Sequence, residues 1–106
     1  MGDFAVTMKL HKRKCKREKV GVDVSQLQEG AQTTLLCIRS IRANGLVSRW
    51  NRENPDQRVQ CGSIIIACNG ARGDSAAILE RIVEDEELLL TVCSRKYSRR
   101  LTRTYT

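Results

Sequence analysis

Two stretches near the start of the chain alternate apolar and polar residues with a period of two. The first covers residues 4–10, and the second, residues 20–25, places a valine at every other position. This alternation is typical of a strand that packs one face on a core. The sequence therefore predicts two strands, the second of which ends in a polar turn over residues 26–32.

Three further segments are rich in aliphatic and β-branched residues, at 35–41, 63–68 and 88–93. Runs of this length and composition predict strands. The middle run is continuously apolar and has turn residues on both sides, which is the pattern of a strand buried on both faces.

Two segments place apolar residues at helical intervals instead. Leu46, Val47 and Trp50 predict a short helix, and Asn54-Pro55 ends it because the residue before a proline is pushed out of helical geometry. A longer helix is predicted over residues 74–83. Either of its first two residues can cap it. Its apolar stripe consists of Ala77, Ile78, Leu79, Ile82 and Val83.

Length and charge set the domain organisation. The chain has 106 residues, the size of one domain, and a net charge of +7. Residues 1–19 carry seven Lys or Arg against two acids, residues 93–106 carry five against none, and the residues between carry seven Arg against ten acids. The predicted core is therefore mildly acidic, and the positive charge belongs to the two ends of the chain.

The sequence also indicates a protein of the cytoplasm, with the membrane periphery or the nucleus as alternatives. The longest uncharged run, residues 59–71, is too short to span a bilayer, and the N-terminus lacks the apolar stretch of a secretion signal. The five cysteines form no Cys-x-x-Cys pair, which favours reduced and mostly buried thiols over disulfides or zinc. Cys15 is the one thiol that we expect to be exposed.

Catalytic chemistry has little support in the sequence. His11 is the only histidine and lies in a basic loop, where no nucleophile and orienting acid accompany it. The acids of residues 84–87 form one run at a helix end, and no phosphate-cradling glycine loop is present. We therefore expect a protein that is not an enzyme and has no cofactor or metal.

The segment 11–19 is too charged to bury and is predicted to be a long solvated loop. It suits nucleic acid, an anionic lipid surface or a nuclear-import receptor, but a solvated loop without a ligand explains it equally well. The chain has few aromatic residues for base stacking, and none lies within the run. The basic patch consists of Lys12, Arg13, Lys14, Lys16 and Arg17.

Three motifs, in this order, resemble those of a PDZ domain. Residues 19–22, Lys-Val-Gly-Val, stand in the place of the family's Gly-Leu-Gly-Phe carboxylate loop. Residues 61–65, Cys-Gly-Ser-Ile-Ile, with Asn69-Gly70, stand in the place of its Gly-Asp-x-Ile…Asn-Gly segment. The helix at 74–83 stands in the place of the helix that forms the family's binding groove.

The resemblance covers residues 3–95, including the basic loop, and leaves residues 96–106 as a basic, mobile tail. Residues 45–55 are similar to a segment of divergent PDZ-like proteins of unicellular algae. The resemblance implies a mainly β fold with two helices: a partly open barrel or sandwich of five to six strands, capped by a short and a longer helix.

The resemblance also implies a function: a monomeric scaffold or adaptor module for signalling that binds the C-terminal peptide of a partner protein by β-strand addition. The peptide would lie between the second strand and the second helix. The implied carboxylate loop is Lys19, Val20, Gly21 and Val22. The implied peptide-pairing strand is Asp23, Val24 and Ser25. The implied groove helix contributes Asp74, Ser75, Ile78, Leu79 and Ile82.

Three departures from the family pattern bear on specificity. Lys19 replaces the first glycine of the loop, and Ser63 replaces the acid after the glycine of the second motif. The helix begins with Asp74 or Ser75 where the commonest peptide class meets a histidine. A preference for Ser or Thr two residues before the peptide's end is therefore not implied. An Asp there would instead select a donor such as Tyr, Lys or Arg.

A second reading comes from another class of function. In it, the protein is a basic adaptor whose N-terminal loop and C-terminal tail bind nucleic acid or an anionic membrane, and the β core is only a scaffold. In the PDZ-like reading the same loop precedes the carboxylate site, where it would steer acidic peptide tails and speed association.

Overall fold

The computed structural model describes residues 5–13, 19–28 and 30–94. These residues form a mainly β structure with two α-helices and a short 3-10 turn at Pro55–Gln57. The predicted fold class is confirmed. In chain order the elements are β1 (Ala5–His11), β2 (Val22–Gln28), β3 (Thr34–Ile41), α1 (Leu46–Glu53), β4 (Ile64–Cys68), β5 (Ala71–Arg72), α2 (Ser75–Glu84) and β6 (Glu87–Cys93).

The six strands belong to one antiparallel sheet with the order β1-β6-β4-β3-β2, and β5 pairs with β4 outside this path. The sheet does not close, so β1 and β2 are its two end strands. Six antiparallel strands with two helices are consistent with the partly open barrel of a PDZ-like domain.

The main hydrophobic core joins one face of the sheet to both helices. A second, smaller cluster on the other face contains Leu35, Cys37, Ile64 and Cys93. The strand β4 contributes to both, because its side chains alternate between the two faces. It is therefore buried on both faces, as its apolar run predicted. The main core includes Met8, Ile38, Val47, Ile65, Ile78 and Leu90.

The helix α1 ends and the helix α2 begins where their sequence signals predict. The helix α1 stops before Asn54-Pro55 and directs Leu46 and Val47 into the core. The helix α2 has Asp74 as its cap, whose carboxylate accepts a hydrogen bond from the N–H of Ala76 at 3.0 Å. The cap thus satisfies one of the free donors of the first turn.

Two elements differ from the sequence prediction. The strand β2 covers Val22–Gln28 rather than residues 20–25, so the turn predicted at 26–32 starts later. Gly21, with a φ of +80°, leaves extended geometry just before the strand, and residues 26–28 continue the pairing with β3. The two-residue strand β5 carries too few residues for a periodic pattern. The predicted tail, 96–106, lies outside the described residues.

None of the described cysteines forms a disulfide. Cys37, Cys68 and Cys93 are buried, as expected, whereas Cys61 is exposed, so the expectation that Cys15 alone is exposed was wrong. Burial, and next the carboxylate of Asp85, raises the pKa of Cys68 to about 11. Its thiol therefore stays protonated at neutral pH.

None of the helices in the described residues combines the length and the apolar character needed to cross a bilayer. No group of three or more His, Cys, Asp or Glu side chains in this part of the chain is placed to hold a metal ion.

Candidate functional site

A groove of about 470 Å³ lies between the edge strand β2 and the helix α2. It extends from the loop before β2 along the strand. Its lining combines the aliphatic residues of two elements with basic side chains. The lining residues are Lys12, Lys19, Val20, Gly21, Val22, Val24, Arg42, Leu79, Ile82 and Val83.

The backbone of Val24 is free on the groove side of β2. Val24 lies opposite Ile38 of β3. The N–H of Ile38 donates to the carbonyl of Ser63 at 2.8 Å, and its carbonyl accepts from the N–H of Gly62 at 2.7 Å. Since Ile38 uses both backbone groups on its other side, the backbone groups of Val24 face away from β3. They are available to an added strand.

The backbone groups of Val22 also face the free edge of β2. The N–H of Arg42 donates to the carbonyl of Gly21 at 2.8 Å, so these two residues bond across the two strands. In an antiparallel pair, bonded and non-bonded positions alternate. Val22, opposite Ile41, is therefore at a non-bonded position and also turns its backbone groups to the free edge.

The loop before β2 has its carbonyl groups occupied and its N–H groups free. The carbonyls of residues 19 and 20 accept bonds from the first two N–H groups of α1, at 3.0 and 3.1 Å. The N–H groups of Val20 and Gly21 donate to no other group within the described residues. Unpaired backbone donors beside a cavity form a site for an anionic acceptor. These donors lie at one end of the groove.

A pair of glycines brings this loop against α1. An ideal Cβ built on Gly21 would lie 2.5 Å from the Cα of Gly45, and a Cβ on Gly45 would lie 2.4 Å from the Cα of Gly21. Gly45 is the residue before the first turn of α1. Neither position has room for a side chain, so the loop and the start of α1 are in direct backbone contact.

The helix side of the groove is an apolar wall with exposed members. Leu79 is 40% exposed and Val83 is 64% exposed, whereas Ile82 is buried. The predicted apolar stripe of α2 is thus wider than the surface that the core covers. Leu79 and Val83 face the half-buried Val22 and Val24 across the groove.

Basic groups line the groove. The ammonium of Lys12 donates to the carbonyls of Ile82 at 2.8 Å and Val83 at 3.1 Å, which lie in the last turn of α2. A cation at this position satisfies free carbonyls and opposes the negative end of the helix dipole. Lys19 is exposed at the groove.

The third basic group, Arg42, forms an ion pair with the carboxylate of Asp23 at 2.9 Å. The hydroxyl of Ser40 donates to the other oxygen of this carboxylate. The bond from Ser40, and next that from Arg42, holds the pKa of Asp23 below its usual value. Asp23 is therefore ionised over the neutral and mildly acidic range.

The structure brings together the implied carboxylate loop, residues 19–22, with Val24, Leu79 and Ile82. Asp23 and Ser25 lie on β2 with exposed side chains and are not among the groove's lining residues. Of the two basic-patch residues that the structure describes, Lys12 and Arg13, Lys12 lines the groove.

The other predicted site residues that the structure describes lie away from the groove. Ile78 is fully buried in the core, and Asp74 accepts from α2's own first turn. Ser75 is buried, and its N–H donates to the hydroxyl of Thr34 at 2.8 Å. Arg13 lines a different cavity, of about 310 Å³, beside α1. The basic-patch residues Lys14, Lys16 and Arg17 lie outside the described residues.

Two groove residues were missing from the predicted site. Val83 follows Leu79 by four residues, so helical spacing places both on one face and was a usable signal. Arg42 comes to the groove through the pairing of β3 with β2, which contains an irregularity between Asp23 and Val24. No local pattern in the sequence predicts this pairing register.

The groove offers a ligand three kinds of contact: backbone N–H donors at one end, a free strand edge along one side, and an apolar wall along the other. A scan against protein-family models finds no match for this chain, and a search of curated proteins finds none.

Proposed function

We propose that this protein is a PDZ-like interaction module that binds the C-terminal peptides of partner proteins by β-strand addition between β2 and α2. One observation carries the proposal. The free backbone edge at Val22 and Val24 runs beside an apolar wall and ends at the unpaired N–H groups of Val20 and Gly21.

The peptide's carboxylate is the anion that suits these donors. A hydrogen bond from a backbone N–H to a charged acceptor contributes roughly 1.5–3 kcal/mol. The N–H groups of Val20, Gly21 and Val22 are the candidates for these bonds. Lys12 and Lys19 add positive charge at the groove, which favours an anionic end over an amidated one.

The rest of the peptide would contact the free edge of β2 and the apolar wall of α2. Its backbone would pair with Val24, in the way that an extended peptide extends a sheet in β-augmentation. Its last side chain would enter the apolar space between Val22, Leu79 and Val83. Burial of an aliphatic side chain there contributes about 1.5–3 kcal/mol.

Motif order supports the assignment to the PDZ-like class. The Lys-Val-Gly-Val segment at 19–22, which resembles the family's carboxylate loop, is the segment at the end of the groove. The helix that resembles the groove-forming helix supplies the wall. In this proposal the protein is a monomeric, non-enzymatic adaptor without a cofactor, and it acts in the cytoplasm, with membrane-peripheral or nuclear sites as alternatives.

The test is titration of the full chain with a pool of fluorescent peptides, each prepared with a free and with an amidated C-terminus. We expect free-ended peptides with an aliphatic last residue to bind, and their amides to lose at least tenfold in affinity, since one charge-assisted bond is worth about 1.5 kcal/mol or more. Binding that ignores amidation, together with salt-sensitive binding to DNA or anionic liposomes, would instead support the basic adaptor.

A further inference from the structure

We infer that the groove prefers peptides with an acidic side chain at the residue before the last. This inference rests on the proposed function. It starts from a charge imbalance at the groove. Three cations, Lys12, Lys19 and Arg42, line it, and no carboxylate is among its lining residues in the described part of the chain.

One peptide carboxylate does not balance these charges. Asp23 of β2 pairs with Arg42 and neutralises one of the three cations. The peptide's terminal carboxylate neutralises a second. The ammonium of Lys19 makes no ion pair with another described residue. A positive charge therefore remains at the groove after a neutral-sided peptide has bound, and a second carboxylate on the ligand would balance it.

The pairing register indicates which peptide residue carries that carboxylate. Side chains of an added strand alternate between the two faces of the sheet. The last side chain enters the groove on the face of Val22 and Val24, so the preceding side chain lies on the opposite face. That face presents Asp23 with Ser40 directly across from it, and Arg42 one diagonal step away.

Arg42 is the group on this face that can meet an acid. Its guanidinium has five N–H donors, and the bond to Asp23 engages the Nη2 group. The side chain of Arg42 is 69% exposed, so it is open to a ligand. Asp23 has both oxygens occupied, by Ser40 and by Arg42. A penultimate acid can accept a hydrogen bond from the N–H groups of Arg42 that Asp23 leaves unused, and the pairing of Arg42 with Asp23 offsets the repulsion from that carboxylate. The net attraction then comes from the unpaired charge of Lys19 in the loop.

Exposed ion pairs are weak individually, so the expected preference is moderate. We expect a peptide with a penultimate Glu to bind roughly threefold more tightly than the same peptide with Gln. Screening by salt reduces such a preference. The ratio of the two affinities should therefore fall toward one at about 1 M salt, whereas the apolar contribution of the last side chain persists.

The experiment compares four fluorescent peptides by anisotropy with the full chain. They share the sequence Gly-Ser-Gly-Ser-x-Val, with Glu or Gln at x, and each has a free or an amidated end. The variant Arg42→Gln should abolish the preference for Glu, because Asp23 is then unopposed. Lys19→Gln should reduce it. Matched controls are Arg72→Gln and Lys9→Gln, which alter exposed side chains away from the groove and should leave the ratio unchanged.

The four peptides separate this inference from the proposed function. If both free-ended peptides bind equally and both amides fail, the acidic preference is wrong and the peptide-binding function stands. If amidation has no effect, both are wrong. A preference for Glu that survives Arg42→Gln and Lys19→Gln would also overturn the assignment to these two residues.

Discussion

The two end strands of the sheet both alternate apolar and polar side chains, but their free edges differ in how readily they would accept an added strand. In β1, Lys9 lies opposite Leu89, whose N–H and carbonyl both bond to Asn69 on the other side, at 2.7 and 3.0 Å. The free-edge positions of β1 are therefore Lys9 and, two residues on either side, Thr7 and His11. All three side chains are exposed.

In β2 the free-edge positions beside the groove are Val22 and Val24, and the same alternation continues along the edge to Gln26 and Gln28. The two strands differ in where their apolar residues lie relative to the hydrogen bonds. In β1 the apolar residues bond to the neighbouring strand, whereas in β2 two apolar residues face the free edge. On β1 the apolar Met8 and Leu10 pair with β6, and polar residues occupy the free edge. Polar and charged edges discourage strand addition, whereas the apolar part of the β2 edge at Val22 and Val24, beside a helix, favours it.

The largest expected effect concerns the loop that closes the groove on the β2 side. Gly21→Ala should lower the free energy of unfolding by about 3 kcal/mol, because its Cβ would meet the backbone of Gly45 and its φ is positive. Gly70→Ala is the matched control. Its φ of +88° is similar but no atom lies within 4 Å of the added Cβ, so about 1 kcal/mol should be lost. Urea unfolding measures both, and equal losses would refute the close contact.

The next effect concerns the apolar wall. Leu79→Glu should weaken binding of a free-ended peptide by at least about tenfold, because it places a charge where the last side chain is buried. Leu89→Glu alters a comparably exposed leucine, 52% against 40%, on β6 away from the groove. It should leave affinity unchanged. Both variants should fold as the parent does, and an equal loss of affinity in the two would contradict the placement of the site.

Hydrogen exchange offers a direct comparison of the two edges. At a peptide concentration ten times the dissociation constant, exchange of the Val24 amide should slow by about tenfold, since the peptide backbone covers it. The Lys9 amide, free on the other edge, should exchange at the same rate with and without peptide. Amide-resolved NMR measures both rates. Protection of Lys9 instead of Val24 would place strand addition on the wrong edge.

The smallest expected effect is the pH dependence of the pair beside β2. The pKa of Asp23 is lower in the folded protein than in the unfolded chain, so this carboxylate stabilises the fold at neutral pH and ceases to do so as the pH falls through its folded value. Asp23→Asn should therefore be less stable than the parent at pH 7, and the gap should close in acid. Urea midpoints at pH 7 and at about pH 2 measure the gap. A stability difference that is the same at both pH values would show that the titration of Asp23 does not contribute to stability.

Local patterns in the sequence were sufficient for most of the fold. Three of these patterns act over only a few residues and can be recognised without tertiary information: the alternation at residues 4–10, the capping Asp74 and the stop at Asn54-Pro55. The loop at 19–22 and the helix residues Leu79 and Ile82 came from the resemblance to PDZ domains, and they line one groove.

What the sequence did not reveal depends on contacts between distant residues. Arg42 reaches the groove because β3 pairs with β2 through an irregular register, and Gly45 meets Gly21 across more than twenty positions of the chain. Ile78 lies on the same helical stripe as Leu79, and only packing against the sheet decides that the first is buried and the second is exposed. Burial of this kind is a property of the assembled domain.

The contact between Gly21 and Gly45 also constrains how this sequence can diverge. Each glycine meets the backbone of the other, and no residue is smaller than glycine, so a side chain at one position has no compensating exchange at the other. Among functional variants of this protein the two positions should stay fixed together. Their constancy would then report the packing of a loop on a helix, and a screen that interprets invariant positions as ligand contacts would misassign Gly45.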